Sequence, residues 1–196
     1  MPYIHSQMGF IGRANHDVVA IQTASARQGG EDCPLTRLEG LGSFYRRGIP
    51  IVEKCLAEGV PCAMALIAVD HFRRLGQVHG QDAADAALKM IGQHLRHFGY
   101  PHLTARLAED EFALLLVSQD GDASAATCEC FRQAIASDTI FTMGKSVAVT
   151  VSIGVAEIYE SETFDNYLNA AEQFLFMAQN NGRNQVLSDH SMVAFV

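Results

Sequence analysis

"RLAEDEF", residues 106–112, sets three consecutive acids, Glu109, Asp110 and Glu111, between two apolar stretches. The stretch before them, "HLTARL", and the one after, "EFALLLVS", have the length and β-branched or aliphatic content of strands, so the acids fall in a tight turn between paired strands. Such a turn is either a carboxylate cluster for a metal-dependent site or a charged surface loop. The chain on either side decides which.

Upstream, "DAADAALKMIGQHLRHF" (82–98) carries Ala84, Leu88, Ile91 and Leu95 on one helical face. "HFRRLGQVHG" predicts a helical turn and a loop ending at Gly80. "CAMALIAV" (62–69) predicts a buried strand followed by Asp70. Within residues 33–59, Leu38, Leu41, Phe44 and Tyr45 are spaced for a helix. Gly48 and Pro50 predict a break there, because proline has no interior donor, with a second helical piece over 50–58. Residues 14–28 predict a short helix ended by "GGED". Downstream, residues 122–136 predict a helix and 146–156 a single strand with alternating faces. Residues 164–180 predict a helix with Phe164, Leu168, Ala171 and Leu175 aligned, and 184–187 a short last strand. The expected fold is α+β, a central, mainly antiparallel sheet with helices on its faces. One domain spans about residues 31–190, with an extension at 1–30 and an apolar tail at 191–196.

With 196 residues the chain can bury a core of ordinary domain size. Hydrophobic residues make up 48% and charged residues 18%, which excludes a disordered chain. A net charge of -8 gives no footprint for nucleic acid or an anionic membrane. No apolar run approaches the roughly 18–20 residues that span a bilayer. "MPYIHSQMGF" lacks a basic region followed by an apolar one, so no signal peptide and a cytoplasmic location are expected. The five cysteines are odd in number and irregularly spaced, and Cys128-x-Cys130 has no second pair to complete a zinc site; reduced thiols are expected.

Four stretches, in order, resemble the GGDEF family of diguanylate cyclase domains. "CPLTRL" (33–38) is similar to the family's D-P-L-T-G-L. "LIAVDHFRRLGQVHGQDAADAAL" (66–88) is similar to its D-x-D-x-F-K-x-x-N-D-x-x-G-H-x-x-G-D-x-x-L. "RLAEDEF" stands where R-x-G-G-D-E-F belongs. The fourth, closing stretch, "VTVSIGVA" (149–156) followed by "AEQFLFMAQNNGRNQV" (171–186), is similar to T-x-S-x-G-V-A and A-D-x-A-L-Y-x-A-K-x-x-G-R-N. The resemblance implies a fold like nucleotide cyclase and polymerase palm domains, ferredoxin-like in its sheet. It also implies a family chemistry in which two subunits, each holding GTP and Mg2+, meet to make cyclic di-GMP.

Carried over residue by residue, the resemblance implies that the chemistry is degraded. The first metal aspartate falls on Ala68, whose methyl cannot ligate Mg2+. Asp70, the second aspartate of that motif, is a weaker metal candidate and is expected to cap the following helix. Asp110 matches the other metal ligand and Glu111 the acid that assists the reacting hydroxyl; Phe112 closes the signature. Its glycines fall on Ala108 and Glu109. A Glu109 carboxylate about 4 Å from a phosphate would be repelled by about 4 kcal/mol at an effective dielectric near 20, an upper bound worth roughly a thousandfold in affinity, because the side chain can turn to solvent. The guanine-reading Asn falls on Gly76, the second guanine contact on Asp85, and the phosphate lysine on Gln179. Arg183 of "GRN" is kept, for phosphate contact or for pairing with a carboxylate in the last turn. The product-inhibition motif R-x-x-D falls on "GYPH" (99–102), so no inhibitory site is expected, and Arg96 does not restore its spacing.

The expectation is therefore an inactive GGDEF-like domain that works by protein contacts, with another signalling protein or a second copy, through the apolar tail "SMVAFV" or the N-terminal helix. No cofactor is expected, and Mg2+ only if nucleotide binding survives. The alternatives are a GTP sensor without turnover, using Asp85, Arg183, Glu111 and Asp110, and an active cyclase in which Asp70 replaces the lost ligand.

Overall fold

The strand β2 (Cys62–Val69) is buried along all eight residues, as an uninterrupted apolar run demands when both faces and both edges are covered. It belongs to a computed structural model that describes residues 32–98, 101–142 and 144–189. Antiparallel β4 (Glu111–Val117) lies along one edge of β2 and antiparallel β7 (Val151–Ile158) along the other. β3 (Leu103–Arg106) pairs antiparallel with β4, and β1 (Glu39–Gly40) adds a short parallel pair outside it. β8 (Val186–Ser188) runs parallel to β7, giving the order β1-β3-β4-β2-β7-β8.

The pleat sends alternate side chains to opposite faces, and two cores form. Ala63, Ala65, Ile67, Phe112, Leu114, Leu116, Val151 and Ile153 face α3 (Gln81–Leu95) and α4 (Gly121–Ser137). Met64, Leu66, Ala68, Ala113, Leu115 and Ala156 face α1 (Leu41–Glu58) and α5 (Phe164–Asn180). Between β2 and α3 stands the short α2 (Phe72–His79). Helices on both faces of a mainly antiparallel sheet are the expected α+β layers. The expected strand over 62–69 and helix over 164–180 have the observed bounds.

Two expectations need correction. No break divides 41–58: α1 is one helix with Pro50 inside it. Leu41, Phe44, Gly48, Val52 and Cys55 form one buried stripe across the proline, and that packing outweighs the lost hydrogen bond. Pro50 and Arg46 are exposed, so water can serve the freed carbonyl. Residues 146–156 are not one strand. β6 (Lys145–Ala148) pairs with β5 (Thr139–Thr142) in a separate ribbon, and β7 starts only at Val151. The ladder with β2 runs on through the backbone N–H of Asp70, which donates to the carbonyl of Thr150 at 2.9 Å, while Lys145–Ala148 pair away from that sheet with β5. The strands β1 and β5 were not foreseen, being too short or too polar to announce themselves. The predicted helix over 14–28 and the tail at 191–196 lie outside the described residues.

Candidate functional site

The signature turn is held by its own arginine. Arg106 Nε donates to the carbonyl of Ala108 at 3.1 Å, and a terminal nitrogen donates to the carbonyl of Glu109 at 2.5 Å. The backbone closes the hairpin from Leu107 N–H to the carbonyl of Glu111 at 2.9 Å. Val69 N–H then donates to the carbonyl of Asp110 at 3.1 Å, tying the turn to the end of β2. Neither Ala108 nor Glu109 has a positive φ, so the turn tolerates side chains where the family motif has glycine. Glu109 is exposed.

The acids diverge from this hairpin. Asp110 lines a cleft of about 430 Å³ with Val69, Asp70, Arg73, Arg74, Gln179 and Arg183. Burial pushes its carboxyl above the ordinary value, Glu109 pushes the same way, and Arg106 and Arg73 oppose them. Glu111 instead lines a small pocket with Tyr45, Asp165 and Glu172. It pairs across the sheet with Ala68, and Ala68 in turn pairs with Ser152. The row Glu111–Ala68–Ser152 therefore crosses three strands, with a 2% exposed methyl at the centre where the family motif has a carboxylate. Asp85 lies apart on α3 and accepts a hydrogen bond from Gln81 at 2.8 Å. The would-be guanine position, Gly76, has only the methyl of Ala84 near its missing Cβ.

Asp70 does not cap α2. The residue before that helix is His71, in the left-handed region and without a side-chain cap bond. Asp70 accepts from Thr150 Oγ1 at 2.7 Å, from Ser152 Oγ at 2.7 Å and from Asn184 N–H at 3.0 Å. Those donors reach it because β7 and the turn after α5 converge on the end of β2. Three of the roughly four acceptor sites of a carboxylate are thereby used. Nor does Arg183 pair with a carboxylate among the described residues. The "GRN" turn runs Gly182, Arg183 and Asn184 through successive positive φ values. It presents Arg183 to the cleft while Asn184 serves Asp70.

Arg73 and Arg74 escaped the sequence reasoning. They sit in the first turn of α2, which has no acid and no side-chain cap, so its free N–H groups and positive dipole end add to the cations. The signal was present, since Arg73 falls on the lysine of the F-K pair in the quoted motif. The cleft thus carries three arginines against two carboxylates, one of them consumed by internal hydrogen bonds. As a seat for Mg2+ it is poor: the buried methyl of Ala68 offers nothing, Asp70 is spent, and Asp110 is left as a single, partly desolvated acid. Among the described residues no cluster of three His, Cys, Asp or Glu could hold a metal.

The six-stranded, mainly antiparallel sheet, its signature hairpin beside the central strand and its helices on both faces define the palm-like fold of the nucleotide cyclases. The family model for the diguanylate cyclase GGDEF domain matches residues 34–185, and the chain belongs to that family. Diguanylate cyclase DgcP of Pseudomonas aeruginosa is 28% identical over 154 residues, which is 78% of this chain and 23% of DgcP. The chain therefore spans about a quarter of that curated relative. Among solved structures, the GGDEF domain of DgcB from Caulobacter crescentus in complex with c-di-GMP superposes with a TM-score of 0.77 at 23% identity, covering 83% of this chain and 94% of that one. Diguanylate cyclase SiaD of P. aeruginosa, in complex with its activator SiaC, superposes at 0.76 and 22% identity, covering 89% and 67%. Among the described residues no helix is long and apolar enough to cross a membrane.

Proposed function

We propose that this GGDEF domain makes no cyclic di-GMP and serves cyclic di-GMP-related signalling as a regulatory module that binds a protein partner. One observation carries the reading: the position of the first metal carboxylate is the buried methyl of Ala68, and the adjacent Asp70 is engaged by Thr150, Ser152 and Asn184. Two-metal or single-metal activation of a hydroxyl needs carboxylate oxygens facing the phosphates, and this donor set supplies Asp110 alone. The solved complex of SiaD with its activator SiaC supports a protein partner as the remaining role.

A second reading has its own observation. The α2 N-terminus with Arg73, Arg74 and Arg183 around one cleft suits a phosphate-bearing nucleotide held without turnover. Incubation of the purified chain with GTP and Mg2+ or Mn2+ separates the cases, with products resolved by chromatography and binding by calorimetry. The expected result is no cyclic di-GMP above background. Product formation overturns the proposal, and binding without product moves the role to a nucleotide sensor.

A further inference from the structure

Cys33 stands where the family's D-P-L-T-G-L has its acid, and its sulfur lies against a cation. Arg106 NH1 donates to Cys33 Sγ at 3.3 Å. The other two nitrogens of the same guanidinium hold the carbonyls of Ala108 and Glu109 in the signature turn. The sulfur is therefore one bond away from the turn that places Asp110. Its own position is fixed by a local turn, in which Cys33 N–H donates to the carbonyl of Leu38 at 2.7 Å and Arg37 N–H to the carbonyl of Cys33 at 2.7 Å.

A second observation points to an anion at this place. Thr36 is fully buried, and its hydroxyl has no partner of good hydrogen-bond geometry in the resting protein. The hydroxyl faces the Cys33 sulfur and stabilises its ionised form. A buried donor with nothing to donate to is costly unless an acceptor forms beside it. A thiolate, or an oxygen added to it, is such an acceptor. Cys33 itself is only partly buried, whereas Cys55, Cys62 and Cys128 are closed off in the core.

We propose that Cys33 is a reactive thiolate, open to modification by hydroperoxides, and that its oxidation releases Arg106 and loosens the signature hairpin. The step balances as attack of the Cys33 thiolate on the terminal oxygen of a hydroperoxide. An S–O bond forms, the O–O bond breaks, sulfur is oxidised by two electrons and the peroxide is reduced to an alkoxide that takes a proton from water. The sulfenic acid is neutral at oxygen and no longer offers Arg106 an anion. Burial acts to raise the thiol, but the Thr36 hydroxyl and backbone, Arg106 and the Leu35 backbone outweigh it and bring Cys33 to about 7 from 9.0. At neutral pH that gives about 50-fold more thiolate than an unperturbed thiol. The lower basicity costs roughly eightfold in intrinsic nucleophilicity, leaving a net gain of about sixfold.

The test alkylates the folded chain with iodoacetamide across roughly pH 5 to 10 and follows the Cys33 peptide by mass spectrometry. Partial burial scales the rate at every pH but does not move the midpoint, so the midpoint is the readout. The expected midpoint lies near 7 and rises in both Arg106→Gln and Thr36→Val. The second variant keeps the test open if the first fails to fold. Hydrogen peroxide treatment should then give a Cys33 sulfenic acid trapped by a 1,3-diketone. It should also speed amide exchange at Leu107 and Ala108, whose N–H groups close the hairpin, and Cys33→Ser should abolish that response. A midpoint at or above 9, a midpoint unmoved in both variants, or unchanged exchange in chain whose Cys33 is demonstrably oxidised overturns the proposal. None of these readouts depends on nucleotide or on turnover.

Discussion

At the scale of single residues, two aspartates beside one cleft do opposite things to stability. Asp70 is 8% exposed and accepts three hydrogen bonds, so removing it strands two hydroxyls and a backbone N–H. Asp70→Ala is expected to lower the free energy of unfolding by about 3 kcal/mol, read as a shift of the urea midpoint at constant slope. Asp110 is the reverse case, since burial raises its carboxyl above the ordinary value of 3.8. The ionised form is thus disfavoured in the folded chain relative to the unfolded one. Below pH 3.8 both states are protonated and the penalty vanishes; it grows above that value and is complete once pH exceeds the raised folded value. Asp110→Asn should therefore raise the melting temperature at pH 7, with the gain shrinking as pH falls toward 3.8. A gain that is constant with pH, or a loss at pH 7, would contradict this assignment of the charge.

At the scale of elements, β7 and α5 meet backbone to backbone at Gly154. A Cβ on Gly154 would lie 2.1 Å from both the carbonyl of Ala171 and the backbone nitrogen of Leu175. Backbone cannot rotate away, so Gly154→Ala must separate strand from helix. A loss above about 4 kcal/mol is expected, enough to remove most of a marginal domain's stability. On α1, Gly48→Ala meets the ring of Phe164 at 2.5 Å, and a ring can shift. The expected cost there is about 1–3 kcal/mol. Thermal unfolding of the two variants side by side tests the ranking, and a less damaging Gly154→Ala would refute the close packing. The same elements show what sequence could reveal. β2 and α5 were legible because their apolar patterns end at residues that break them. The continuity of α1 was not, because what carries it past Pro50 is the packed stripe from Phe44 to Val52. The split before β7 was hidden for a related reason: Lys145–Ala148 pair with β5 outside the main sheet, a partner that the alternation within 146–156 does not reveal.

At the scale of the whole molecule, the family and its layers were readable from four separated motifs, while the workings of the cleft were not. Thr150, Ser152 and Asn184 all stood in those motifs, yet nothing in a linear sequence says that all three donate to Asp70. Arg73 and Arg74 likewise gained meaning only once α2 turned its first turn toward Asp110. The Asp70 clamp also bears on how the chain folds. Its partners lie 80, 82 and 114 residues along the sequence, so all three bonds must wait for β7, α5 and the "GRN" turn to arrive. Closures of that length are slow to find and form late, after β2, β4 and their helices have condensed. Stability lost at Asp70 should accordingly appear almost wholly as faster unfolding, with the refolding rate nearly unchanged. One carboxylate inherited from a cyclase motif would then act as the latch that keeps the finished domain from reopening.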